Sequence, residues 1–126
     1  PRDVVKALDS DGRLERLAAI LMSASKQCLR ARLPELLPTA KLGDAFAACP
    51  KGSGFIAWEA GGGAAISGLP APGSELHVFI GPEGGFTAED VKRAEAAGIR
   101  TFGLGQNILR AETAALAAAS VLLIGR

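Results

Sequence analysis

Two glycine-rich segments hold the residues of this chain that are best suited to chemistry. The first, FIGPEGGFTAED (residues 79–90), places three glycines, Pro82 and the single charge of Glu83 between an apolar run and a helix-like stretch. Glycines let the backbone approach a ligand closely, and proline stiffens a turn. The segment matches neither of the common phosphate-binding glycine fingerprints, so nucleotide phosphates are not favoured. Taken alone, it is as typical of a plain tight turn as of a binding loop.

The second segment, LGQNILRAETAAL (residues 104–116), clusters Arg110, Glu112 and Thr113 where a helix is predicted to begin. By themselves these residues fit a local ion pair and favourable electrostatics at a helix start as well as they fit catalysis. Ligands of open α/β sheets bind beyond the carboxyl ends of the strands. Two loops that follow successive strands can therefore face one pocket, and only the pair of loops favours a functional site.

The elements that must position these loops alternate along the chain. Short apolar runs predict strands at residues 55–58, 76–80 and 101–104. Apolar periodicity, caps and helix propensity predict helices at residues 13–29, 40–48, 87–98 and 111–123. Between them, SGLPAPGSE (residues 67–75) is too rich in glycine and proline for regular structure. The order strand, helix, strand, helix predicts an α/β domain with a parallel sheet.

Length and composition limit what the chain does. Its 126 residues suit one domain, and 14 Lys+Arg against 13 Asp+Glu provide no strongly positive field for nucleic acid. No Tyr and few other aromatic residues argue against a platform that stacks successive bases. Cys28 and Cys49 form no metal or disulfide pattern, so we expect reduced thiols, no metal and a cytoplasmic location. Neither a secretory signal nor a membrane span is predicted.

Together and in this order, the two segments resemble the ribosomal RNA small subunit methyltransferase E family of the SPOUT superfamily, which methylates N3 of a uridine in small-subunit ribosomal RNA. GPEGGFTAEDV and AAGIRTFGLGQNILRAETAAL correspond to its two cofactor loops, and ASKQCLRARLPEL is similar to its upstream basic segment. The resemblance runs from about Arg13 to the C-terminus. It is most specific in the two loops and weakest between Leu42 and Ser74.

The resemblance implies a SPOUT-type fold, in which helices flank a parallel sheet and the C-terminal helix is threaded into a deep trefoil knot. It also implies a homodimer, for which the alanine-rich last helix is a suitable packing face. The implied cofactor is S-adenosyl-L-methionine, held mainly by loop backbone. The residues expected to bind it are Trp58, Glu59, Ile80, Gly81, Pro82, Glu83, Gly84, Gly85, Leu104, Gly105, Gln106, Ile108, Leu109, Arg110, Thr113 and Ala114. For Trp58, a place in the core is the more common alternative.

The expected catalytic residues are Arg110 and Glu112. Arg110 would stabilise the negative charge on the uracil oxygens as N3 loses its proton, since its guanidinium never deprotonates. Glu112 would orient Arg110 or take the proton. Lys26, Arg30 and Arg32 are expected to contact the phosphates of small-subunit ribosomal RNA, although a solvated helix end is an equal alternative.

The chain departs from the family pattern at two places. Gln106 and Asn107 stand where the family usually has a proline and a basic residue, which weakens the case for an RNA contact there. The family's N-terminal RNA-binding barrel and the first strand and helix of its catalytic domain are not visible before Pro1. We therefore expect residues 1–126 to be a methyltransferase domain without its RNA-binding domain. Two alternatives stay open: a SPOUT methyltransferase for another RNA position, and a cofactor-binding dimerisation fragment without activity.

Overall fold

The computed structural model describes most of the elements around the two glycine-rich segments. The described residues are 12–29, 34–59, 64–65, 68, 75–104 and 110–123. Within them the chain divides into two compact units, one ending at Leu42 and the other beginning at Gly43.

Helix α1 (Arg13–Gln27) forms the regular part of the first unit, as the spacing of its apolar residues predicts. Leu21 is half-buried and Ser25 is buried, whereas Leu17, on the same predicted face, is 42% exposed. The helix ends at Gln27 rather than near Leu29, because Leu29 adopts a positive φ of 58° that cannot continue an α-helix.

Among its described residues, the second unit holds a four-stranded parallel sheet, as the order of elements predicts. The strands are β1 (Gly54–Ala57), β2 (Ala64–Ala65), β3 (His77–Phe79) and β4 (Arg100–Gly103). Their order across the sheet is β2-β4-β1-β3. Ile56 of β1 therefore has Phe79 of β3 on one side and Thr101 of β4 on the other. The sequence pattern does not predict β2, since alanine after a run of glycines has little strand propensity.

Helices of the second unit are fixed to this sheet by buried aromatic and aliphatic side chains. They are α2 (Leu42–Ala48), which belongs to this unit from Gly43 onward, α3 (Ala88–Ala96) and α4 (Ala111–Leu123). Leu122 of α4 packs in a buried cluster with Phe55 of β1 and Phe102 of β4. The ring of Phe46 in α2 meets the ring of Phe79 edge-on, with centroids 5.1 Å apart. Burial of each such side chain contributes about 1.5–3 kcal/mol, which holds α2 and α4 in place.

Local hydrogen bonds set both ends of α3. At its start the backbone N–H of Asp90 donates to Thr87 Oγ1 at 3.1 Å, and the backbone N–H of Thr87 donates to Asp90 Oδ2 at 3.1 Å. This reciprocal pair is a capping box. Beyond its end, Gly98 adopts a φ of 84° and its N–H donates to the carbonyl of Glu95. The predicted stop at Gly98 is therefore confirmed.

All strands of the sheet run in one direction, so their carboxyl ends share one edge. Trp58 follows β1, Ile80 follows β3 and Leu104 follows β4 at this edge. The glycine turn after β3 and the segment after β4 thus leave the same edge of the sheet, one on either side of β1. Among the described residues, no helix combines the length and apolar character needed to cross a membrane.

Candidate active site

A cavity of about 320 Å³ opens at the edge of the sheet where β1, β3 and β4 end. Segments that follow all three strands line it, together with the first turn of α4. The described lining residues are Ala57, Trp58, Glu59, Ile80, Gly81, Pro82, Glu83, Gly84, Gly85, Phe86, Phe102, Leu104, Ala111 and Ala114. Small-molecule sites typically enclose about 300–1,000 Å³. The two glycine-rich segments therefore meet at one cavity of ligand size.

The turn after β3 lines this cavity with three glycines, whose backbone is not covered by a side chain of their own. The N–H of Gly85 donates to the carbonyl of Pro82 at 2.7 Å and closes the turn, and Gly85 adopts a φ of 71° that suits glycine. Gly81 lies where the chain packs closely on itself. A Cβ there would stand 3.1 Å from the carbonyl carbon of Gly85 and 3.1 Å from the nitrogen of Phe86. Backbone conformation therefore favours glycine at Gly85, and close packing favours it at Gly81.

Phe86 joins the glycine turn to helix α3. Its side chain is only 8% exposed and lines the cavity, and Thr87, the next residue, is the N-cap of α3. Burial raises the pKa of Asp90, but hydrogen bonding with Thr87 and the positive charge of Arg93 outweigh that effect and leave the pKa below its usual value. Asp90 is therefore ionised at neutral pH. The capping box fixes the backbone where the glycine turn leads into α3.

The segment after β1 and the ends of β3 and β4 form the apolar wall of the cavity. The N–H of Trp58 donates to the carbonyl of Phe102 at 3.0 Å, which extends the pairing of β1 with β4 beyond the strand. Trp58 is half-buried, and Glu59 beside it is exposed. Ile80 and Leu104 pack against the buried cluster around Phe102. This wall is therefore mostly apolar, with one carboxylate next to it.

The start of α4 contributes small residues to the lining and larger polar ones beside it. Ala111 and Ala114, three residues apart on one helix face, line the cavity. The carbonyl of Arg110 accepts a hydrogen bond from the N–H of Ala114 at 2.8 Å. Arg110, Glu112 and Thr113 are exposed and are not among the described lining residues. Arg110 and Glu112, both of which the structure describes, form no ion pair with each other.

The described lining of the cavity contains two charged residues, and both are negative. Glu59 and Glu83 are its only ionisable residues, and both are exposed. A site lined with carboxylates attracts cations and disfavours phosphate. In the part of the chain that the structure describes, no group of three His, Cys, Asp or Glu side chains is arranged to hold a metal ion.

Some of the predicted site residues lie away from the cavity or outside the described residues. Those outside are Gly105, Gln106, Ile108, Leu109, Arg30 and Arg32. Lys26 is exposed in the last turn of α1, in the first unit. Conversely, sequence reasoning missed four residues that line the cavity: Ala57, Phe86, Phe102 and Ala111. One of them had a sequence signal, since Ala111 shares a helix face with Ala114.

Comparison with known proteins shows the class to which this fold and cavity belong. The chain matches the RNA methyltransferase domain family over residues 2–123, and it belongs to that family. It is similar to the ribosomal RNA small subunit methyltransferase E of Rickettsia conorii, with 46% identity over 54 residues, and to that of Bacillus subtilis, with 48% identity over 59 residues. These stretches cover 41% and 47% of this chain but 22% and 23% of the relatives. The predicted resemblance to the ribosomal RNA small subunit methyltransferase E family is confirmed.

Solved structures give the same result over most of the chain. A putative methyltransferase from Legionella pneumophila, in complex with the bound cofactor SAM, has a TM-score of 0.85 and 28% identity over 95% of this chain. The ribosomal RNA small subunit methyltransferase E of Neisseria gonorrhoeae, bound to S-adenosyl methionine, has a TM-score of 0.78 and 31% identity over 90% of it. This chain spans 49% and 48% of those two chains, about half of their length. Both similar structures thus contain the cofactor that the sequence resemblance implies.

Proposed function

We propose that this chain is the cofactor-binding, catalytic part of an S-adenosylmethionine-dependent methyltransferase that modifies N3 of a uridine in small-subunit ribosomal RNA. The observation that carries the proposal is the cavity at the carboxyl edge of the sheet, where a turn of bare backbone, an apolar wall and two carboxylates come together. The names of the similar proteins support the substrate class.

The lining residues fit S-adenosylmethionine, which is an adenosine joined to methionine through a positively charged sulfonium. Ile80 and Leu104 provide an apolar surface for a planar base. The three glycines of the turn Gly81–Gly85 let a ligand approach the backbone closely. Glu59 and Glu83 supply negative charge for a cationic ligand, and the described lining has no cation that would suit a phosphate. The same residues therefore favour this cofactor over a nucleotide.

The proposed reaction is an in-line displacement. S-adenosylmethionine, when bound, supplies an electrophilic methyl group on its sulfur. Uracil N3 forms a bond to the methyl carbon while the bond from that carbon to sulfur breaks, and the N3 proton passes to a base. Holding two reactants in near-attack geometry provides about 7–11 kcal/mol, more than one acid–base group usually gives. The glycine turn and the ring of Phe86 behind it therefore contribute mainly by positioning.

Arg110 and Glu112 are the proposed catalytic residues. Both are exposed on either side of Ala111, which lines the cavity. Arg110 stabilises negative charge on the uracil oxygens as N3 loses its proton, because its planar guanidinium stays protonated. Residues two apart at a helix start do not face each other, and the two side chains form no ion pair. Glu112 is therefore proposed as the proton acceptor rather than as the partner that orients Arg110.

Small-subunit ribosomal RNA is the proposed partner. Lys26 is exposed at the end of α1, and Arg30 and Arg32 follow it in the sequence. Such cations contact phosphates and position RNA without reading its sequence. The formal net charge of the chain is only +1, so its RNA affinity rests on this local cluster. A ribosomal substrate places the proposed activity in the cytoplasm.

The trefoil knot and the homodimer are part of the proposal. Strands β1 and β2 are consecutive in the described chain yet lie on opposite sides of β4, which supports threading of the chain that follows β4. Helix α4 exposes 69% of Leu116 beside the small, exposed Ala115 and Ala119. An apolar side chain among alanines suits close packing against a second copy of the helix. Light scattering measures the number of copies in solution.

Nucleoside analysis of the methylated RNA tests the proposed function. The chain is incubated with S-adenosylmethionine carrying a labelled methyl group and with either assembled small ribosomal subunits or naked ribosomal RNA. The RNA is then digested to nucleosides. We expect the label in 3-methyluridine, and less of it with Arg110→Ala than with Arg110→Lys.

The other outcomes separate the alternatives. Label in a different modified nucleoside would mean a SPOUT methyltransferase for another RNA position. Cofactor binding without any labelled RNA would mean a binding fragment without activity of its own. That alternative is relevant because this chain spans about half of the length of the solved relatives. Absence of both would refute the proposed function.

A further inference from the structure

The charge distribution of the cavity bears on which form of the cofactor it holds. Glu59 follows β1, and Glu83 lies in the turn after β3, the strand that pairs directly with β1. The two carboxylates therefore line the cavity from neighbouring loops. Among the described residues, neither forms an ion pair with a cation.

Little else in this part of the sequence neutralises these two charges. Residues 60–63 and 105–109, which follow Glu59 and Leu104 in the sequence, contain no ionisable side chain. Arg110 comes next along the chain, but it is exposed and is not among the described lining residues. The other described lining residues are uncharged. Among the described lining residues, the only charges are therefore negative.

The substrate and product forms of the proposed cofactor differ by one positive charge. S-adenosylmethionine has a sulfonium, whereas the thioether left after methyl transfer, S-adenosylhomocysteine, is neutral at sulfur. Their adenosine and amino-acid ends are the same. A contact with those shared ends affects both forms alike, whereas a fixed negative charge near the sulfur affects only one of them.

We propose that Glu83, together with Glu59, makes this cavity selective for the sulfonium cofactor over its thioether product. The inference rests on the proposed function and adds a role for two residues within it. Loss of the positive charge on methyl transfer removes this attraction, so the spent cofactor is released more readily and the next sulfonium cofactor replaces it. Glu59 and Glu83 act here as specificity-determining residues.

Exposure of both carboxylates sets the size of the effect. Interactions between exposed opposite charges correspond to about a 1.4- to 5-fold change in affinity. We expect Glu83→Gln to lower the ratio of S-adenosylmethionine affinity to S-adenosylhomocysteine affinity by about 2- to 5-fold, and Glu59→Gln to act in the same direction. Salt screens such charges, since the Debye length falls from about 10 Å at 0.1 M to about 3 Å at 1 M ionic strength.

Calorimetric titration of the 126-residue chain with each cofactor form tests the proposal. The variants are Glu83→Gln, Glu59→Gln, the double variant and Glu95→Gln. The last is a matched control, because Glu95 is exposed on α3 and is not among the described residues that line this cavity. We expect a lower affinity ratio for both single variants, the lowest ratio for the double variant, no change for Glu95→Gln, and a smaller difference at high salt.

The other possible results would overturn either the selectivity or the proposed function itself. Equal losses of affinity for both cofactor forms, or no change in either, would overturn the selectivity while leaving the proposed function intact. A selectivity change of the same size in Glu95→Gln would also overturn it, since any distant carboxylate would then suffice. If the unaltered, folded chain bound neither form, the proposed function itself would fail and this inference with it.

Discussion

Replacement of Gly81 by alanine tests whether close packing behind the glycine turn gives the cavity its shape. The new Cβ would lie 3.1 Å from the carbonyl carbon of Gly85 and 3.2 Å from Cδ2 of Phe86. Carbon atoms prefer separations of about 3.5–4.0 Å, so the turn must move by several tenths of an ångström. Overpacking of this kind costs about 1–3 kcal/mol. We expect about 1–2 kcal/mol, because one methyl group is added and the φ of Gly81 is not positive.

Urea unfolding measures this cost, and Gly84→Ala is the matched control. A Cβ at Gly84 would meet no atom within 4 Å, so that variant should stay within about 0.5 kcal/mol of the unaltered chain. Phe86→Leu removes the ring contact but not the backbone contacts, so we expect it to cost less stability in the Gly81→Ala background than in the unaltered chain. Equal unfolding free energies for Gly81→Ala and Gly84→Ala would refute the claim that close packing shapes the turn.

Three further predictions concern the cap, the catalytic arginine and the RNA contact. Because the pKa of folded Asp90 lies below the ordinary value of 3.8, its ionised form stabilises the fold above that pH, and the stabilisation is lost as the pH falls through the folded pKa. Unfolding of Asp90→Asn and the unaltered chain should therefore differ at pH 7 and converge below pH 3.8, whereas a difference independent of pH would contradict this role. Arg110→Ala should slow single-turnover methyl transfer at saturating cofactor about 10²- to 10³-fold, and an unchanged rate would exclude its catalytic role. Lys26→Ala should weaken RNA binding and reduce its salt slope by about 1 in a filter-binding series, whereas loss of the exposed Lys92 on α3 should leave that slope unchanged.

Most elements of the second unit follow from local sequence signals. Short apolar runs predict β1, β3 and β4 to within one residue at either end, because a buried strand is typically apolar on both faces. Helix α4 begins at Ala111 and ends at Leu123, as its run of strong helix formers predicts. Thr87 and Gly98 mark α3 because their roles as caps depend on neighbouring residues alone.

The sequence pattern does not predict features that depend on contacts between distant segments of the chain. Nothing local specifies that β4 lies between β1 and β2, since strand order depends on contacts between distant segments. Exposure of Leu17 on α1 likewise depends on what packs nearby and not on periodicity. In the cavity, the backbone turn at Gly81–Gly85 is predictable from residue type. The inward position of Phe86 is not, because an aromatic residue before a helix cap suits several packing directions.

Titration of S-adenosylmethionine into the 126-residue chain by calorimetry tests the central claim most directly, because it needs no RNA and depends on the cavity at the carboxyl edge of the sheet. We predict saturable binding, with one cofactor per chain, that Gly81→Ala weakens. A chain shown to be folded by circular dichroism that binds no S-adenosylmethionine would contradict the claim that this cavity is a cofactor site.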